Sequence, residues 1–139
     1  MKRALTALFG LGLMASVALA QQPPPQTAQQ QMQQHQMMQQ RLQEMHQHME
    51  RVMTQLHQMN QEMVRQRVQT EFQQMGQQME QAGDRLRSML RQMDQLHKDA
   101  DLQRDQDRLR DMDQLQTRLR TMIQDMDGAC AALRRLAGL

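Results

Sequence analysis

From Met38 onward, apolar residues recur at alternating steps of four and three. Met38, Leu42, Met45, Met49, Val52, Leu56, Met59 and Met63 form the first such seam. A second holds Val68, Phe72, Met75, Met79, Ala82, Leu86, Met89, Met93, Leu96 and Ala100. A third holds Leu109, Met112, Leu115, Leu119, Met122 and Met126. This spacing puts one apolar stripe on a helix, and it cannot be read as the two-residue alternation of a strand. The residues between are mostly Gln, Arg, Glu and Asp, which suit a solvated helix face. β-formers are scarce, and the chain has 2 Phe with no Trp or Tyr. An aromatic-centred α/β or all-β core is therefore excluded, and the expected class is all-α.

The seams lie downstream of two segments of different character. Met1-Lys2-Arg3 is a basic start, and Ala4 to Leu19 is largely apolar. Ala18-Leu19-Ala20 fits a signal-peptidase site, so residues 1–20 read as an export leader for the periplasm or the cell exterior. The run is short for a spanning helix, and no membrane span is expected after cleavage. Removing Lys2 and Arg3 leaves Lys+Arg equal to Asp+Glu. With no basic excess and almost no stacking aromatics, nucleic acid is excluded as a partner. Residues 21–37 are rich in Gln and Pro and read as a disordered segment, with Pro23-Pro24-Pro25 forbidding helix at its start. Cys130 is the one Cys of an exported chain, either buried or paired between chains.

Gly83-Asp84 has the chemistry of a helix stop followed by an N-cap. Folding the chain there sets Leu42 against Met126, Met59 against Leu109 and Phe72 against Leu96. The reading is a long antiparallel helical hairpin, coiled-coil-like, over 38–126 with its turn near 83–84. Gly76 is the rival turn, and one continuous helix in a parallel coiled coil is the alternative. The seam loses phase between Met63 and Val68 and again between Ala100 and Leu109; the hairpin places both defects at one level. Asp127-Gly128 is a second stop, leaving 127–139 as a short C-terminal helix or tail. Two helices bury little, so a homodimer, as in a four-helix bundle, is expected to complete the core.

No nucleophile motif or phosphate loop is present, and the chain is expected not to be an enzyme. The acidic run from Asp99 to Asp113 fails the calcium-loop template, because Arg104 and Arg110 stand at its Gly and Glu positions. It reads instead as spaced Asp–Arg pairs on a solvated helix. Histidine beside methionine is more distinctive. His46, Met49, Met53 and His57 share one helix side, and thioether with imidazole suits Cu(I). Methionine also packs adaptably. Met45, Leu56, Met59, Phe72, Met75, Met79, Met93 and Met112 are accordingly the expected contacts to a partner or an unfolded client.

Met53-Thr54-Gln55-Leu56-His57 is the nearest stretch to a Leu-Thr-x-x-Gln signature, with Met in place of Leu and His in place of Gln. The export leader and the Gln/Met/His-rich helical pattern over about 30–126, rather than that signature, resemble the Spy/CpxP-like periplasmic family of chaperones and heavy-metal stress proteins. The resemblance implies a curved helical dimer that binds unfolded clients or metals in the envelope. Two readings follow: an exported stress or interaction protein with chaperone-like apolar binding, and a periplasmic copper or heavy-metal binder. A passive structural coiled coil is the third.

Overall fold

A computed structural model describes residues 28–99 and 105–139. The expected leader at 1–20 and the first part of the Gln/Pro segment lie outside the described residues. Among the described residues the fold is all-helical, in three helices: α1 (Ala28–Arg65), α2 (Thr70–His97) and α3 (Gln106–Leu136). All three pack on one another.

The hydrogen bonds and ion pairs between helices set their directions. Glu50 pairs with Arg87, and Asn60 donates to Glu80, so α2 runs antiparallel to α1. Arg41 pairs with Asp113, Glu44 with Arg120, and Glu62 with Arg134, so α3 runs parallel to α1. The expected two-arm hairpin is therefore an up-down-up arrangement of three helices.

The expected turn at Gly83-Asp84 lies inside α2, as does its rival Gly76. The first turn falls where the seam loses phase, after Met63. Arg67 takes the left-handed conformation there, with φ 52°. Val68 N–H donates to the Met63 carbonyl at 3.0 Å and Arg67 N–H to the Val64 carbonyl at 3.2 Å. This is the helix-ending pattern that usually carries glycine. Left-handed backbone costs a non-glycine residue about 1–2 kcal/mol. Arg67→Gly is therefore expected to raise stability by about 0.5–1 kcal/mol, after the loss of unfolded-chain restriction. Denaturant titration checks it, and an unchanged midpoint would refute the strain.

The second phase break falls between the end of α2 and the start of α3. α2 ends at His97, and α3 restarts at Gln106. Asp105 caps α3, its carboxylate accepting from Asp107 N–H at 3.1 Å and Arg108 N–H at 3.3 Å. Asp127-Gly128 does not stop α3, which runs on to Leu136 and ends against Gly138 at φ 73°. Residues 28–37, expected to be disordered, form the first turns of α1.

The core follows one seam in α1, the first described above, and a shifted seam in α2 and α3. In α2 the buried positions are Gly76, Gly83, Leu86, Leu90, Met93 and His97. In α3 they include Gln116, Leu119, Ile123 and Cys130. The two glycines explain the shift. A Cβ at Gly83 would collide with Met53 Sδ and come within 3.4 Å of Met126 Sδ. A Cβ at Gly76 would collide with Asn60 Oδ1. Side-chain tips from α1 fill the space these glycines leave, so α2 turns its glycine face toward α1.

Candidate docking surface

The shifted seam leaves a second apolar stripe uncovered on each of two helices. On α2, Met75, Met89 and Leu96 are exposed large apolar side chains. On α3, so are Leu115, Met122 and Leu136. Ala82 and Ala129, both exposed, complete the seven-residue spacing of each stripe.

Both stripes face away from α1. The α2 residues that bond to α1, Glu80 and Arg87, each follow a core position by one. So do Asp113, Arg120 and Asp127 on α3. The stripe residues instead precede a core position by one, which is the opposite flank. The two stripes therefore border the same α2/α3 seam. Gly83 lies against Met126, and the helices are antiparallel, which sets the register. Met75 then stands level with Leu136, Ala82 with Ala129, Met89 with Met122, and Leu96 with Leu115.

The result is a continuous ribbon about 32 Å long at 1.5 Å per residue. With helix axes about 10 Å apart, it covers on the order of 300 Å². Isolated apolar side chains on a surface are ordinary, whereas a patch of about 300 Å² is of the size that, as the largest on a monomer, is often functional. The other two seams differ in kind. Among the described residues, the interhelical ion pairs all have one partner on α1. Charge lines the α1 grooves, and apolar surface lines the α2/α3 seam.

The residues expected to contact partners divide accordingly. Met45, Leu56, Met59, Met93 and Met112 are buried within the chain, because the third helix covers the seam that was read as open. Phe72 and Met79 are partly buried against the same core. Met75 alone of the eight is exposed, and it lies on the ribbon. Met89, Leu96, Leu115 and Met122 were read as core. Their seven-residue spacing beside an already complete seam was the available signal.

The four expected metal ligands do not converge. Helical rise separates His46 from His57 by about 16 Å along α1. Met49 and Met53 are buried and pack around Gly83 with Met126. His57 borders a shallow groove with Met53, Glu80 and Arg87. Its ring nitrogens already meet Glu80 at 3.1 Å and Gln61 at 2.9 Å. His48 lies 3.4 Å from Asp127. Among the described residues, no group of three or more His, Cys, Asp or Glu side chains is placed to hold a metal ion. Cys130 is a free thiol in the core, and burial, then Asp127, pushes its pKa up. Among the described residues, no helix is long and apolar enough to cross a membrane.

One histidine is internal. His97, 2% exposed, stacks on His35 of α1 with ring centroids 4.1 Å apart and planes 13° apart. Burial pushes its pKa down, and the neighbouring His35 adds to this, while Asp94 opposes it. The folded protein therefore resists a proton that the unfolded chain accepts near pH 6.5. This term leaves stability level above that pH and removes it as pH falls below, by at most about 1.4 kcal/mol per unit. Melting temperatures at pH 7.5 and 5 should show the fall, and His97→Phe should flatten it. An unchanged slope in the variant would remove His97 as its source.

No protein-family model, curated protein or solved structure matches the chain.

Proposed function

We propose that this chain is an exported, non-enzymatic binding protein that holds apolar segments of other proteins along its α2/α3 ribbon. The observation that carries this reading is the ribbon itself: six exposed Met and Leu side chains in register on two neighbouring helices. Unbranched thioether side chains adapt to unlike surfaces, which suits a site that must accept many sequences. The leader-like start and the resemblance to periplasmic chaperones agree with a role in the envelope. In this reading the buried methionines shape the scaffold, and the exposed ones meet the client.

The test is suppression of aggregation. The protein, substoichiometric to an unrelated unfolding client, should lower its light scattering. Met89→Lys, which puts a charge at the middle of the ribbon, should lose most of that effect while keeping its helical circular dichroism. No suppression at severalfold excess, or a fully active Met89→Lys, would overturn the proposal.

A further inference from the structure

We infer that, in the absence of a client, the ribbon is covered by the ribbon of a second copy of this chain, antiparallel about a two-fold axis passing beside Met89 and Met122. The inference rests on the reading of the ribbon as a binding face, and it names the face's resting partner.

The charges on the outer shoulders of the ribbon favour that axis. Asp111, Arg118 and Asp125 rise along the shoulder of α3, and Arg85 and Gln92 along that of α2; all are exposed. The midpoint of Arg118 and Asp125 falls beside Met122. The midpoint of Arg85 and Gln92 falls beside Met89. The register already places Met89 and Met122 at one level, so a single axis passes both midpoints. Rotation about it brings Arg118 to the partner's Asp125 and Asp125 to the partner's Arg118. It brings Arg85 to the partner's Gln92, and no like charges on these shoulders meet. A parallel pair would gain Arg85 opposite the partner's Asp125, but it would also oppose Asp99 to the partner's Asp111. Two faces of on the order of 300 Å² each, even with their shoulders, stay below the area that stable complexes bury. The expected dimer is therefore weak and separable by a client that competes for the same side chains. The basis for pairing also differs from that expected from the sequence: three helices close their own core, and the second copy covers the surface beside it.

Sedimentation velocity across a concentration series tests the inference with three single variants, Met122→Lys, Met122→Glu and Met89→Glu. The wild-type protein should pass from monomer to dimer as concentration rises. Each variant should stay monomeric at concentrations where the wild type is dimeric, with unchanged helicity. Mixing Met122→Lys with Met122→Glu should restore a dimer, because the axis sets position 122 opposite itself. A dimer restored only by mixing Met122→Lys with Met89→Glu would replace the antiparallel axis with a parallel one and overturn the inference. A wild type that stays monomeric while suppressing aggregation would also overturn it and leave the holding function intact. A wild-type dimer with the Lys/Glu rescue but no suppression of aggregation would uphold the pairing and remove the holding function.

Discussion

Leu56→Ala is expected to destabilise the fold by about 3 kcal/mol, within the 2–5 kcal/mol found for buried leucines truncated to alanine. Leu56 is fully buried in the C-terminal half of α1, in the core cluster that also contains residues of α2 and α3. Truncation removes its contacts, and the surrounding helices can close only part of the space. A chain with one core of this size has little stability to spare. The fall in Tm should be on the order of 10 °C. Leu115→Ala is the matched control, because Leu115 is an exposed leucine on the ribbon. Its stability should stay within about 0.5 kcal/mol of the wild type, while client holding declines. The two leucines were indistinguishable as seam residues in the sequence. Equal effects of the two substitutions on Tm would mean that the core does not lie where this structure puts it.

The second large effect concerns the turn. Asp84→Pro should cost about 3 kcal/mol or more, because proline inside a helix removes a backbone hydrogen bond and clashes with the preceding turn. Asp84 is exposed and midway along α2, so the loss would come from the backbone, its side-chain tie among the described residues being a loose 3.6 Å contact to Arg87. Two residues inserted between Val68 and Thr70 should cost much less, on the order of 0.6 kcal/mol, the scale of doubling a loop. Chemical denaturation of both variants reads the difference. A chain that turned at Gly83-Asp84 would reverse the order, accepting proline there and suffering from an insertion within its first arm.

This contrast shows how much of the fold was legible. The helical class and the α1 seam from Met38 to Met63 were plain, since both depend on spacing alone. The turns were visible as losses of phase near Val68 and between Ala100 and Leu109, but they were read as defects, because turn chemistry pointed elsewhere. Glycine marks a turn when left-handed backbone is needed. Here Arg67 bears that conformation, while Gly76 and Gly83 serve close helix approach. Local propensity yielded to packing at those three positions. The docking surface was hidden for a related reason. Apolar residues occupy both flanks of the α2 seam, and the more hydrophobic flank, Met75, Ala82, Met89 and Leu96, was taken as core. The structure buries the flank with two glycines, a leucine and a histidine, and leaves the richer one outside. Choosing between the flanks requires knowing what α1 presents, chiefly Met53, Asn60 and Met63, and one helix's periodicity does not contain that. In the histidine and methionine constellation, residues that share a side of one helix are strung along it rather than gathered at a point.

The up-down-up order of the three helices among the described residues gives the bundle a head and a tail. Ala28 and Leu136 lie at opposite ends of the bundle, because α1 and α3 run the same way. At 38 residues, α1 makes that separation about 57 Å. Anything attached before Ala28 would thus hold one end of a rod, while a group fused after Leu139 would ride at the other. The ribbon runs lengthwise between them, so an anchored copy would present its binding face sideways, like a rung, to whatever passes along its flank.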